Sequence, residues 1–376
     1  MKKNFLLSVC SLATLLAVQT GISAPITPGN LVIYRVGDGT AALAATATSV
    51  WLDEYTAGGG LVQSILLPPG GGPGGLTAVG TASTEGIISR SFDGSALIFT
   101  GYQKLVGGAN PAADTYVTTP RVVGTITAAG IPDTSTTIIN DNGATTANTI
   151  RSATGLSGAP GSPLWISTST RVSYDGAGVG APAGTVQIDA RNSRQVNLST
   201  FAGGPTLIAA NGSTTIGGKV QSYGVFPVGA TAPTPLVTLP LADAVNGFAM
   251  FDLNASVPGD DTLYALDTVT SKLLKYNFDG VSWLAQGSLS TTAANLTGYY
   301  DGTSVNLFLT TGTTLFSEID SSGYLAPITG SLVSLTTAGV NTAFRGIGMF
   351  NPVPEPSSFA LVGIGLLGLR AVRRKR

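Results

Sequence analysis

With 376 residues, 19 basic and 20 acidic side chains, a single Cys and no His, the chain lacks the commonest general base and the imidazole metal ligand. Cys10 lies in the first apolar run, so a processed chain holds no thiol, which excludes disulfides, zinc knuckles, cysteine nucleophiles and thiolate-bound clusters. Charge is sparse at 10%, yet 43% of residues are apolar, and this balance predicts a sizeable core built from β-structure rather than solvated helices.

Met1–Ala24 reads as a secretory signal peptide. Lys2 and Lys3 precede an apolar stretch from Phe5 to Val18, and small or polar residues lead to Ala24. Cleavage after Ser23 or Ala24 fits the small-residue rule, although Pro25 disfavours the second. The partners this implies are the Sec translocon and a signal peptidase.

Residues 25–351 read as one exported all-β domain. It carries 12 basic and 19 acidic residues, about −7, and no basic patch, which argues against nucleic acid and anionic membrane surfaces as partners. Strands are predicted at Leu31–Val36, Val50–Tyr55, Leu61–Leu67, Ile87–Arg90, Ala96–Tyr102, Arg121–Thr127, Leu164–Thr168 and Thr185–Ile188. They continue at Val196–Leu198, Thr206–Ala209, Phe248–Leu253, Thr262–Leu266, Lys272–Phe278, Ser304–Leu309, Thr314–Ile319 and Phe344–Met349. In Lys272–Phe278 the residues Leu274, Tyr276 and Phe278 share one face, and Lys275 and Asn277 the other.

Turn signals separate these runs, among them Asp93-Gly94, Asn142-Gly143, Asp175-Gly176, Asn211-Gly212, Asp279-Gly280, Asp301-Gly302 and Ser322-Gly323. Several follow an aromatic, as in Tyr299-Tyr300-Asp301-Gly302. The segments Asp261–Gly287 and Gly298–Gly323 repeat one strand-turn-strand logic. A four-strand unit of ~40–45 residues predicts a β-propeller of about seven blades; a pair of β-sandwiches or a β-helix is the alternative architecture. Pro68–Gly75 reads as a flexible surface loop and Gly229–Pro235 as a connector.

Residues 352–376 differ in kind. Val353, Pro354, Glu355 and Pro356 precede an apolar run containing Phe359, Leu361, Val362, Ile364, Leu366, Leu367 and Leu369, and Arg370, Arg373, Arg374, Lys375 and Arg376 follow. The run Phe359–Leu369, at ~1.5 Å per residue, covers roughly 16 Å of a hydrocarbon core about 30 Å thick. Extending the helix from Ser357 to Val372, with the arginines snorkelling, recovers part of the deficit. That makes a marginal anchor suited to transient inner-membrane residence. Both basic clusters stay cytoplasmic by the positive-inside rule, leaving the region between them outside.

This arrangement resembles the PEP-CTERM sorting signal of Gram-negative bacteria, with Pro354, Glu355 and Pro356 matching its motif residue by residue. The resemblance implies processing by an exosortase, then release or attachment at the cell surface or in the extracellular matrix. It also implies extracellular polysaccharide as a candidate partner. The exported region is similar to bacterial propeller-like proteins of undefined function, through Leu31–Gly39, Asp261–Ala265 and Asn341–Ile347. That likeness implies that the first strand completes the blade formed by the last residues.

Motifs that suggest chemistry fail on their context. Gly70–Gly75 and Gly363–Gly368 formally satisfy a dinucleotide fingerprint, but the first has a Pro in the turn and the second lies in the apolar tail. Gly212–Lys219 departs from a phosphate loop, since Val220 stands where Ser or Thr is required, and reads as a hairpin. Carboxylate chemistry needs no His, and its candidates are Asp260, Asp261 and Asp267, or Asp53 with Glu54. Asp260 and Asp261 could also hold Ca²⁺, but no loop shows regularly spaced oxygen ligands. Trp51, Trp165 and Trp283 could stack on sugars or pack between sheets. The expectation is therefore an exported, non-enzymatic binding or structural protein with no catalytic residue, metal or cofactor. The alternative is a carbohydrate-binding or carbohydrate-active protein using Asp carboxylates.

Overall fold

The computed structural model describes residues 23–201 and 204–352. Residues 1–22 of the expected signal peptide, the motif Val353–Pro356, the apolar run Phe359–Leu369 and the basic cluster Arg370–Arg376 lie outside the described residues. Among the described residues no helix is long and apolar enough to cross a membrane.

Among the described residues the strands group into six blades of antiparallel strands: blades 4, 5 and 6 are separate four-stranded sheets, whereas blades 1, 2 and 3 are hydrogen-bonded into one 13-stranded sheet. The short strand Thr77–Val79 bridges blades 1 and 2, and the parallel pair of Pro132–Asp141 with Ala183–Asp189 bridges blades 2 and 3. Blade 1 holds β1 (Leu31–Val36), β2 (Ala47–Tyr55) and β3 (Leu61–Leu66), and the short β4 (Thr77–Val79) leads out of it. Blade 2 holds β5 (Ser89–Arg90), β6 (Ala96–Tyr102), β7 (Arg121–Thr127) and β8 (Pro132–Asp141). Blade 3 holds β9 (Ile150–Gly155), β10 (Leu164–Thr168), β11 (Val172–Asp175) and β12 (Ala183–Asp189). Blade 4 holds β13 (Ser193–Phe201), β14 (Gly204–Asn211), β15 (Gly218–Val225) and β16 (Thr234–Thr238). Blade 5 holds β17 (Val245–Phe251), β18 (Thr262–Asp267), β19 (Lys272–Phe278) and β20 (Trp283–Ser290). Blade 6 holds β21 (Asn295–Tyr300), β22 (Val305–Thr310), β23 (Thr314–Asp320) and β24 (Val333–Thr337).

The last strand, β25 (Ala343–Met349), pairs with β1 from Leu31↔Met349 to Val36↔Ala343 and becomes the innermost strand of blade 1. This is the ring closure expected from the sequence, and it removes the two sheet edges that an open ring would leave. The chain is thus an all-β propeller. The ~45-residue period gives about seven blades and the structure has six, because the early blades carry more than strands. The Gly-rich loop 68–75, β4 and an excursion with a 3₁₀ turn at Pro111–Ala113 lengthen them.

Burial follows the ring. Six separate apolar clusters fill the six interfaces between neighbouring blades. Each second strand feeds two of them by its pleat. In β18, Leu263 and Ala265 pack toward blade 4, and Tyr264 and Leu266 toward blade 6. In β1, Val32, Tyr34 and Val36 face blade 2, and Leu31 and Ile33 face blade 6.

The Pro68–Gly75 segment is a surface loop, exposed at Pro68, Pro69 and Gly71–Pro73, that is pinned at Gly70 and Gly75. A Cβ on Gly70 would stand 1.9 Å from the Lys104 carbonyl oxygen, so only Gly allows this close approach. Gly212–Lys219 is the hairpin expected, joining β14 to β15, with the buried Lys219 ammonium donating to the carbonyls of Ser213 and Leu241.

Candidate functional site

A cavity of about 570 Å³, a volume within the range of small-molecule sites, runs along the inner strands β5, β13, β17, β21 and β25, from Gln195, Phe248 and Leu296 near their starts to a mouth at their C-terminal ends. Arg90 ends β5, Asp252 follows β17, Tyr299 and Tyr300 end β21, and Asn351 and Pro352 follow β25. Asp260 reaches the same wall from the loop between β17 and β18. Inner strands taper toward the axis, so their last residues face one another there.

Polar groups at this mouth are partly committed. Arg90 donates to Asn351 Oδ1, fastening the segment after β25 to the start of blade 2. Ser199 Oγ donates to Asp260 Oδ2 at 2.5 Å. Burial raises the Asp260 pKa above the usual carboxylate range, and the charges of Asp252 and Asp261 push the same way against the Ser199 and Thr200 hydrogen bonds. Burial also lowers Arg90, opposed by the Asp260 carboxylate. Asp301 is the reverse case: side-chain and backbone hydrogen bonds from Thr303 and Ser304 hold it well below the usual range at the exposed rim. The mouth therefore joins one guanidinium to several carboxylates, phenols and an amide. Its acidic balance suits a hydroxyl-bearing neutral ligand better than an anion.

Of the carboxylates singled out in the sequence, only Asp260 lines this cavity. Asp261 is buried and accepts from Leu253 N at 3.1 Å, Asn254 N at 2.7 Å and Thr262 Oγ1 at 2.7 Å, holding its own loop. Asp267 turns the chain after β18 by accepting from Val269 N at 3.0 Å. Asp53 is buried against Arg35 at 2.5 Å. Glu54 anchors the segment before β1 through Thr27 N at 2.9 Å and Asn30 Nδ2 at 2.6 Å. Among the described residues no group of three or more Asp, Glu, His or Cys could hold a metal ion.

The tryptophans pack between sheets. Trp165 donates to Pro227 O at 2.8 Å and stacks on Phe226, Trp283 lies against Phe201 and Phe278, and Trp51 sits under the Arg35 guanidinium. Arg90, Asp252, Tyr299, Tyr300 and Asn351 were not legible as site residues. The aromatic–Asp–Gly pattern at 299–302 marked the end of an inner strand, which in a propeller is a place at the axis; without the ring it reads only as a turn.

Solved structures similar to the chain include the periplasmic gluconolactonase of Pseudomonas aeruginosa, with 11% identity, 86% of this chain and 100% of that chain covered, and a TM-score of 0.47. They include the β-propeller domain of Myceliophteria thermophila Cps50, with 9% identity, coverages of 86% and 98%, and a TM-score of 0.42. A third is a putative 6-phosphogluconolactonase from Bacteroides uniformis, with 11% identity, 82% of each chain covered and a TM-score of 0.42. No curated protein matches the chain. Residues 352–376 match the PEP-CTERM protein-sorting motif, and the chain is a propeller that carries this sorting signal at its C-terminus.

Proposed function

We propose that the protein is a non-enzymatic surface or matrix component whose propeller is exported as one domain, residues 25–351, and presented by its sorting tail. The PEP-CTERM motif marks an exported protein that an exosortase sorts toward the cell surface. In this reading residues 1–24 are removed by signal peptidase after passage through the Sec translocon. The tail 352–376 then resides transiently in the inner membrane until it is cut. The observation that carries the reading is the motif match itself, which begins at Pro352, three residues after the last strand. Support for a binding or structural role comes from the carboxylates, since Asp53, Glu54, Asp261 and Asp267 all serve the fold.

A second reading, a carbohydrate-binding or carbohydrate-active protein, is favoured by one observation. Asp260 has a raised proton affinity and faces a cavity lined by Tyr299 and Tyr300. The experiment replaces Pro354, Glu355 and Pro356 together by alanine and follows the protein by cell fractionation. Uncut protein is expected to accumulate in the inner membrane; release at the ordinary rate overturns the sorting assignment. The same preparations are assayed on polysaccharides, and hydrolysis that disappears in Asp260→Asn overturns the non-enzymatic reading.

A further inference from the structure

At the opposite end of the channel, its floor, the inner strands begin. Each brings a polar side chain to one level: Glu85 ahead of β5, Arg151 in β9, Arg194 in β13, Asn246 in β17, Asn295 in β21 and Arg345 in β25. Hydrogen bonds close this level into a circuit. Gly346 N donates to Gly86 O at 3.0 Å and Ile87 N to Arg151 O at 3.1 Å. Arg151 Nη1 donates to Asn192 Oδ1 at 2.5 Å and Ser193 O at 2.6 Å. Phe248 N donates to Gln195 Oε1 at 2.7 Å, and Asn246 Nδ2 to Ala294 O at 2.8 Å. Ala294 N donates to Thr310 O at 3.0 Å, and Thr310 Oγ1 to Arg345 O at 2.6 Å, which returns to the start.

Five of these six side chains carry a buried polar atom without a partner in the protein: Arg151 Nε, Arg194 Nη1, Arg345 Nε, Asn246 Oδ1 and Asn295 Oδ1. They are five of the eleven such atoms among the described residues, so unmet hydrogen-bonding capacity is concentrated here rather than scattered. Arg151 and Arg345 are only 6% and 5% exposed, and Asn246 and Asn295 only 2% and 5%. Arg151 and Arg345 act on one carboxylate, Glu85, which already accepts from Val79 N at 2.6 Å and Tyr102 Oη at 2.9 Å. Arg194 stands near Arg151, and Arg345 already donates through Nη1 to Phe344 O at 3.1 Å and through Nη2 to Gly80 O at 2.9 Å. Burial, and then the like charge of Arg194, push Arg151 down to about 9. Burial pushes Glu85 up to about 7, which weakens the single counter-charge near neutrality.

The geometry assigns a small-oxyanion site to the floor of the channel, with Arg151, Arg194 and Arg345 as donors and Asn246 and Asn295 as acceptors. Hydrogen phosphate satisfies both demands, because its bare oxygens accept from guanidinium N–H groups and its P–OH donates to an amide oxygen. Sulfate has no O–H to give at neutral pH and binds less well. The site adjoins the inner end of the channel cavity, where Gln195 and Phe248 line it, and does not depend on the function proposed above. A free ion and the phosphoryl group of a larger molecule share this chemistry, and the depth of burial favours the free ion.

The test titrates the purified full-length protein in detergent with sodium phosphate by calorimetry at fixed ionic strength, with sulfate, chloride and glycerol phosphate in parallel. One phosphate per chain is expected, with sulfate at least tenfold weaker and chloride silent. Weaker binding of glycerol phosphate supports the free ion; equal binding supports the phosphoryl group of a larger molecule. Arg151→Gln and Arg345→Gln are expected to weaken phosphate binding at least tenfold, whereas Asp260→Asn at the mouth leaves it unchanged. Where an Arg variant does not fold, Asn295→Asp sets a like charge against the ion and is expected to give the same loss. ³¹P line broadening by the unaltered protein checks occupancy without any variant. Absence of both heat and broadening, or undiminished affinity in the folded variants, overturns the assignment.

Discussion

Lys275 and Asp320 show how a chain poor in charge uses the little it has. Their side chains are 0% and 1% exposed and meet at 2.8 Å. Lys275 also donates to Ser322 Oγ at 2.9 Å and Gly323 O at 2.8 Å, and Tyr264 Oη donates to Asp320 at 2.6 Å. The cluster joins β19 of blade 5 to the end of β23 in blade 6. Burial alone would raise Asp320, but the hydrogen bonds from Lys275, Ser322 and Tyr264 outweigh it and hold the carboxyl below its usual range. Removing one member of such a pair strands the other charge in the interior. Lys275→Met is therefore expected to cost about 3–5 kcal/mol at pH 7, measured by chemical denaturation. The sign with pH follows from linkage. An acid whose pKa is depressed by folding stabilises above the unfolded value of ~3.9, and the contribution is lost as pH falls through the folded value. The gap between wild type and Lys275→Met should accordingly narrow below about pH 4; a gap that stays constant to pH 3 would mean that the pair is not the source of the difference.

At the scale of the element, burial decides which strands could be read. The second strands of blades 1, 2, 3, 5 and 6 were legible, because both faces pack against neighbouring blades and their apolar content is nearly continuous. Leu31–Val36, Ala96–Tyr102 and Leu164–Thr168 have the bounds expected from the sequence. Edge strands lack that signal. Residues Thr234–Thr238 and Val333–Thr337 are short, rich in Thr or Ser and partly exposed, and neither shows the alternation that marks a half-buried strand. Among the inner strands, β5, β13, β17 and β25 overlap strands expected from the sequence, whereas β9 and β21 were missed: near the axis small and polar residues, as in Ile150–Gly155, take the place of an apolar stripe. Gly346 in β25 is the tightest instance. A Cβ there would stand 2.2 Å from Gly86 O and 2.4 Å from Ile88 N, both backbone atoms of the neighbouring blade. Gly346→Ala is expected to lower stability by about 3 kcal/mol through overpacking at the closure, read by thermal denaturation. A loss below about 0.5 kcal/mol, the range of an ordinary surface change, would show that the seam between blades 1 and 2 yields easily.

For the molecule as a whole, the position of the exit matters more than the number of blades. The last strand ends at Met349, Pro352 lies on the wall of the channel mouth, and the match to the sorting motif begins there. Six residues lie between Pro352 and Phe359, a reach of at most about 25 Å even when fully extended. While the apolar run occupies the membrane, as the proposed sorting route requires, the mouth is held close to the bilayer and the floor points away from it. Cutting the tail frees the mouth. Exposed turns on the two faces report this difference: Thr303 lies between β21 and β22 at the mouth, and Thr313 between β22 and β23 at the floor. Cys10, the single native thiol, lies in the segment that the proposed export route removes, and on that route it does not compete for label. In cells where Pro354, Glu355 and Pro356 are replaced by alanine, a bulky membrane-impermeant maleimide should label Thr313→Cys several-fold faster than Thr303→Cys. In released protein the two rates should converge. Equal labelling before cleavage would show that the ring swings freely on its tether, so that sorting would control where the protein goes without controlling which face it presents.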